Sequence, residues 1–584
     1  MNSRKNIVNK ILSLKEELKI QPKNFSIYVD IAMLFQEIGD HESAVEFYSK
    51  SIELNPNIFE MYANLAHSLK SLGRYKESLQ ELEKAVKLKP KSKELKVAIA
   101  NILKRLGQFK KAENILLGVL KDDEGDEAFY NTLGTLQLEQ GKIEDAIKSF
   151  QSSIDSICKV KKRKSIIKNL KVSTPASNLL LARNYLYNFN KSQDLELAIK
   201  FKKYFRDEKI KPHVHSKKIS SSVPRVGFVS PDLRDHPVGR LLIGPLKGLR
   251  QQKVHVTIYS DTTFKDKINR NIMGLADSWR ETSGIGTSEL SNIIKQDKID
   301  ILIDLSGHTA KNRLKVFALK SAPIQASWLG YFATTGLKEI DYVIGDPHTI
   351  SSSGEKDFIE NPLKLPDSHF CFNEPEKDIA ITKINNSYTE KIVFGSFNNY
   401  LKINDMVLET WAKILLEIPK SILILKNRQL ASEDIRSKLL RFFYKYEIEK
   451  DRIILLPKTN IEDYFDNYNK IDISLDTFPF PGGMTTLDSI WMGTPVITLK
   501  GQKFISHNGE SIMNNLGLEE WIAYDKEDYV QKTIKFSNNL DIIRQEKRLL
   551  RDKLLQSNLS DTQKFGQNFY NLMIKMIEKY NMEF

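Results

Sequence analysis

Apolar and small positions recur along the first part of the chain in four gapless blocks of 34 residues, 23–56, 57–90, 91–124 and 125–158. The seventeenth position of each block is glycine (Gly39, Gly73, Gly107 and Gly141), and five residues on comes Ala44, Ser78, Ala112 or Ala146. Position nine is Ile31, Leu65, Ile99 and Leu133. Position thirteen is Phe35, Leu69 and Leu103, with Gln137 breaking the column between Leu136 and Leu138. This pattern predicts two helices per block. The glycine turns the chain between them, small residues sit where helices cross, and apolar columns stack one block on the next. Residues 1–22 predict a charged amphipathic helix ahead of the array.

The repeats resemble the tetratricopeptide (TPR) family, with aromatics such as Tyr28, Tyr62 and Tyr130 in the family's places. An array of this kind forms a superhelix whose concave face takes an extended peptide. After it, 159–221 reads as a basic helical linker, and from about 222 the period changes. Short β-branched runs, each followed by a turn and a helical stretch, appear as RVGFVS, HVTIYSD, DILIDLSG, VFGSFNN, SILILKN, RIILLP, DISLDTFP and PVITLKG. Alternating strands and helices predict parallel sheets covered on both faces. The length suffices for two: 222–385 and 386–584, divided near the polar stretch 375–390. Their facing carboxyl edges define a ligand cleft.

Composition narrows the class. Of 584 residues, 41% are hydrophobic and 28% charged, so the chain is globular. No apolar run is long enough for a membrane span and no signal-peptide pattern opens the chain, which leads us to expect a cytoplasmic protein with no membrane partner. Cys158 and Cys371 stand alone, against a disulfide framework or a cysteine zinc site. The net charge of +14 is spread through interspersed Lys and Glu, the concentrated exception being 159–171, so nucleic acid is not expected as a partner.

Candidate chemistry lies after the predicted strands. His236 follows the first, a base or hydrogen-bond donor by its near-neutral pKa. Asp304, Gly307, His308 and Thr309 form a turn whose amides suit an anion. The apolar run 322–336 reads as a cleft wall or plain core. Asn398 and Lys402 follow a later strand, and lysine suits phosphate. The richest motif is 474–498. Gly482 and Gly483 admit close backbone approach, and Met484, Thr485 and Thr486 lead into a helix whose first amides suit a diphosphate. Asp488 is placed to accept from a ribose diol or to favour the helix dipole. The loop lacks the GK[ST] of a Walker site. No paired carboxylates suggest a metal, so we expect no metal and no cofactor beyond a co-substrate.

TPR repeats followed by SPDLRDHP, DLSGHT, APIQASWLGY, FNNYLKI and LDTFPFPGGMTTLDSIWMGTPV resemble the O-linked N-acetylglucosamine transferase / SPINDLY family (glycosyltransferase family 41), and most nearly its bacterial TPR-containing members. The resemblance implies a GT-B fold of two Rossmann-like lobes and an inverting, metal-independent transfer of sugar to protein side chains. The first-choice donor is UDP-GlcNAc, with UDP-glucose and GDP-fucose as alternatives, and the TPR groove presents the acceptor. It implies His236 beside acceptor and sugar, Lys402 neutralising the leaving diphosphate, Thr485 and Thr486 on phosphate, and Asp488 on ribose. His308 joins the catalytic candidates. Asn398, Thr459 and Tyr464 border the nucleotide, with Gly482, Gly483 and Met484 completing the donor loop. Met484 and Tyr464 stand where family members carry histidines. The rival reading is a TPR scaffold with a silent GT-B domain.

Overall fold

The computed structural model describes residues 2–122, 126–160, 168–206, 210–375, 379–382 and 391–583. It divides into two compact units, Met1–Gln140 and Gly141–Phe584. Residues 161–167 of the basic run 159–171 and the boundary expected at 385/386 lie outside the described residues.

In the first unit, helix pairs follow the predicted period: Phe25–Glu37 with His41–Leu54, Tyr75–Leu88 after Phe59–Ser71, and Phe109–Asp122 after Lys93–Arg105. Gly39, Gly73 and Gly107 take φ of 81°, 77° and 72°, the left-handed turn that a side chain resists. Ala44, Ser78 and Ala112 are wholly buried, and Ser78 satisfies its hydroxyl by donating to the Ala66 carbonyl at 2.7 Å. Around Gln137, buried Leu136 and Leu138 replace the missing apolar position. The fourth block is divided: its first helix, Glu127–Glu139, belongs to the first unit and its second, Ile143–Val160, to the second. The repeat boundary expected at 158 is therefore not the boundary between compact units.

The second unit holds two parallel sheets. The N-lobe sheet comprises β1 (Arg225–Ser230), β2 (His255–Ser260), β3 (Ser278–Glu281), β4 (Ile301–Asp304), β5 (Ile324–Ser327), β6 (Tyr342–Gly345) and β7 (Asn361–Lys364), ordered β3-β2-β1-β4-β5-β6-β7. The C-lobe sheet comprises β8 (Val393–Ser396), β9 (Ile422–Lys426), β10 (Ile453–Leu456), β11 (Ile473–Leu475), β12 (Val496–Leu499) and β13 (Ile522–Ala523), ordered β10-β9-β8-β11-β12-β13. In both, strand order reverses beside the first strand, and the crevice at that switch point is where an open α/β sheet takes its ligand. Within the apolar run 322–336, Ile324–Ser327 form the buried strand β5.

Two further boundaries are corrected. The last helix, Thr562–Met582, packs not on the C-lobe but on the N-lobe helix Pro237–Leu249. Gly248 and Gly566 meet so closely there that a Cβ on Gly566 would lie 2.2 Å from the Gly248 carbonyl carbon. Residues 168–206 hold the helices Lys168–Arg183 and Lys191–Phe201 and pack on both lobes. Gly336 of the N-lobe packs so closely that a Cβ there would lie 2.3 Å from the Ala198 carbonyl oxygen, and the C-lobe's Lys503 donates to the Arg183 carbonyl at 2.7 Å. Cys158 and Cys371 are free thiols. Among the described residues, no helix is long and apolar enough to cross a membrane.

Candidate functional site

β11 ends at Leu475, and the chain turns through Asp476 and a Phe/Pro loop into the helix Met484–Trp491. Buried Asp476 organises this turn. One carboxylate oxygen accepts from the amides of Thr477 (2.9 Å) and Gly482 (2.7 Å) and from Asn398 Nδ2 (3.0 Å), and the other from the Thr498 hydroxyl (3.0 Å). Asn398 Oδ1 in turn accepts from Thr485 Oγ1 at 3.0 Å, tying the end of β8 to the helix start. Gly482 permits the turn, since a Cβ there would sit 2.3 Å from Thr486 Oγ1. Gly483 caps the helix without a side chain, so its first amides carry their partial positive charge toward the loop. Met484 is buried and Thr485 half-buried.

Lys402 follows β8 in the short turn Tyr400–Lys402. Its Nζ donates to the Pro481 carbonyl at 2.7 Å and lies 4.2 Å from the centre of the Phe480 ring. The lysine is thus held at the loop that leads into the helix start. Burial lowers its pKa to about 8, against the pull of Asp476.

A second network crosses between the lobes. Asp488, in the helix Met484–Trp491, receives Arg240 Nη2 at 3.2 Å and the Tyr464 hydroxyl at 3.0 Å. Tyr468 lies 3.2 Å from the Tyr464 hydroxyl and donates to the Thr485 carbonyl at 3.2 Å. The Asp488 carboxylate thus accepts from one side chain of each lobe, Arg240 and Tyr464. Burial raises its pKa and Arg240 opposes the shift. Tyr464 lies with its ring centre 5.9 Å from that of Phe397.

Arg240 rises from the helix that His236 caps. His236 Nδ1 accepts from the Val238 amide at 3.3 Å, Pro237 fills the first turn, and Nε2 stands 3.9 Å from Asp232. Burial lowers the imidazole's pKa and Asp232 partly offsets this, so the ring is neutral near pH 7. A neutral ring accepting at Nδ1 carries its proton on Nε2.

Two expected site residues are placed elsewhere. His308 is sealed, with Nδ1 3.0 Å from Ser177 Oγ and Nε2 2.9 Å from the Thr335 carbonyl, and burial lowers its pKa to about 4. It is a buried core residue with both ring nitrogens engaged within the protein. Two amides of its turn, those of Ser306 and Gly307, donate to Asp304, at 3.1 and 2.7 Å. Thr459 is exposed just before the helix Ile461–Asp466, and its hydroxyl donates to the Asn460 carbonyl at 3.2 Å. Sequence reasoning missed Asp476 and Arg240. Asp476 ends a strand beside the glycines, and Arg240 lies one turn after His236, so both positions carried a local signal.

No group of three or more His, Cys, Asp and Glu side chains among the described residues is arranged to hold a metal. The family model described as glycosyl transferase family 41 matches residues 203–376 and 373–569, and tetratricopeptide repeat models match 25–58 and 69–136. Over 416 residues the chain is 33% identical to a probable UDP-N-acetylglucosamine–peptide N-acetylglucosaminyltransferase SPINDLY of Solanum lycopersicum, covering 69% of this chain and 44% of that one. A protein of Arabidopsis thaliana described as SEC, of the same probable activity, is 27% identical over 363 residues (60% and 37%). The matches thus span less than half the length of these relatives. A mutant O-GlcNAc transferase of Thermobaculum terrenum superposes with a TM-score of 0.76 at 24% identity, over 96% of this chain and 98% of that one, which shows a shared fold.

Proposed function

The chain belongs to glycosyl transferase family 41, and from that premise we propose that it transfers N-acetylglucosamine from UDP-GlcNAc to protein side chains, with inversion and without a metal. The observation that carries this reading is Lys402, held 2.7 Å from the Pro481 carbonyl at the entrance to an uncapped helix start. A diphosphate seated there meets helix amides and an ammonium, and both strengthen as negative charge develops on the leaving group. The acceptor atom attacks C1 from the opposite face and gives up its proton to water, the C1–O bond to phosphate breaks, and its electron pair ends on the departing diphosphate beside Lys402.

His236 has a narrower role. With Nδ1 taken by the Val238 amide, Nε2 donates, so the ring orients acceptor or sugar and does not take a proton. Asp488 reaches a ribose only by exchanging Arg240 or Tyr464 for the diol. The TPR array supplies the acceptor peptide, in keeping with the peptide-modifying activity in the relatives' names. Incubation with UDP-GlcNAc and a peptide library, read by mass spectrometry and by proton NMR of the new anomeric centre, tests the reading. A β-linked peptide adduct is expected, and hydrolysis with retained configuration contradicts it.

A further inference from the structure

The segment after the helix Lys168–Arg183 grips the loop that carries Lys402's partners. Tyr185 stacks on Phe480, with ring centres 4.8 Å apart and planes inclined 29°. Tyr187 meets Phe478 edge-on at 6.5 Å, and Lys503 of the C-lobe lies 4.2 Å from the Phe189 ring. Phe480 is the same ring that Lys402 Nζ faces at 4.2 Å, and the next residue, Pro481, supplies the carbonyl that receives Lys402. Two partners so close to one ring centre restrict its rotation, and the ring in turn shields the ammonium from water.

We propose that Tyr185 is a positioning residue for Lys402, acting through Phe480, so that the segment joining the repeats to the N-lobe sets the lysine's place and exposure. The proposal rests on the reading of Lys402 as the group that meets the diphosphate. Loss of the stack frees Phe480 and wets the ammonium. Burial is the main cause of the lysine's lowered pKa, so wetting raises that pKa toward the ordinary lysine value. Misplacement also weakens an interaction made as the leaving group departs, which lowers kcat more than it raises donor KM.

The test is carried out on the full chain with no ligand added. Trace acetylation by acetic anhydride at a series of pH values, quantified at Lys402 by mass spectrometry, gives that lysine's own titration. Tyr185→Leu is expected to raise the midpoint by roughly half a pH unit or more, and Tyr185→Phe, which keeps the stack, to leave it unchanged. Phe480→Leu is expected to shift it in the same direction, and adding Tyr185→Leu to Phe480→Leu to shift it no further. In donor hydrolysis, Tyr185→Leu is expected to lower kcat on the order of ten-fold at nearly constant KM. If the Lys402 midpoint of Tyr185→Leu coincides with wild type, the proposal is overturned. A wild-type protein that turns over no sugar nucleotide overturns the proposed function instead, and the acetylation series still decides the role of Tyr185.

Discussion

Arg240, one turn beyond His236 in the N-lobe, reaches into the C-lobe and pairs with Asp488, at Nη2–Oδ1 3.2 Å and Nη1–Oδ2 3.4 Å. The pair joins the helix capped by His236 to the helix whose start is the candidate diphosphate site. Neither partner is well exposed, and removal of one leaves the other charge buried and unpaired. Arg240→Met is expected to cost roughly 3–5 kcal/mol in urea unfolding, and Arg240→Met with Asp488→Leu distinctly less. Equal losses in the single and double variants would show that the pair carries no coupling.

Lys402 is expected to trade stability for function. Its pKa is about 8 in the folded chain against about 10.4 unfolded. The unfolded state therefore holds its proton over a wider range, and folding bears the cost of a buried ammonium below pH 8. That cost fades as pH rises from about 8 to about 10.4. At pH 7, Lys402→Met is expected to raise unfolding free energy by about 2–3 kcal/mol while turnover falls by on the order of 10²-fold or more. A destabilised variant would mean that the contacts to Pro481 and Phe480 outweigh the burial.

The same shift sets a pH limit on turnover. With Lys402 required as the ammonium, kcat/KM for the donor, which reports the unliganded protein, should fall as pH rises through about 8. Lys402→Arg, charged at every accessible pH, should be slower but lack that alkaline fall. A wild-type kcat/KM flat to pH 9.5 would remove the ammonium from the mechanism.

His308 is expected to matter for stability alone. Its folded pKa of about 4 lies below the unfolded value near 6.5, so acid protonates the unfolded chain first. Stability is thus lost as pH falls from about 6.5 toward 4. Urea unfolding at pH 8 and pH 5 should show wild type losing about 2 kcal/mol more than His308→Gln over that interval. The variant's turnover per folded molecule at pH 7.5 should stay within about three-fold of wild type, as for a core residue. A loss approaching that of Lys402→Met would return His308 to the site.

What was legible in the sequence was local. The 34-residue period carried the helix pairs because each glycine turn repeats the same geometry, and the buried runs 225–230 and 453–456 announced β1 and β10. The strand at Ser278–Glu281 alternates with charges at a sheet edge, Pro362 sits in the edge strand β7, and β5 lay hidden inside an apolar stretch. None of these has the continuous apolar pattern of a central strand. The donor loop was readable because Gly482, Thr485 and Thr486 are neighbours in sequence. Arg240 and Asp488 stand 248 residues apart, so no spacing could pair them. The turn at His308 looked like the turn at Thr485. Tertiary packing alone separates the two, through Ser177 and Thr335 sealing the one while the other starts an uncapped helix. Gly248 and Gly566, each inside a helix, did hold a clue to the returning C-terminal helix, since a glycine on a helix face often marks close approach.

Titration calorimetry paired with turnover assays probes the sugar-nucleotide site at Lys402 and the helix from Met484. UDP-GlcNAc, UDP-glucose and GDP-fucose are each presented with a chelator present, to wild type and to Lys402→Met. The account predicts that UDP-GlcNAc binds and is consumed by wild type without added metal, while Lys402→Met still binds it and turns over at least 10²-fold more slowly. Turnover of GDP-fucose or UDP-glucose in its place would keep the site and change the donor. Absence of binding to all three at millimolar concentration, in a folded wild-type protein, would contradict the account and leave a repeat scaffold beside a silent domain.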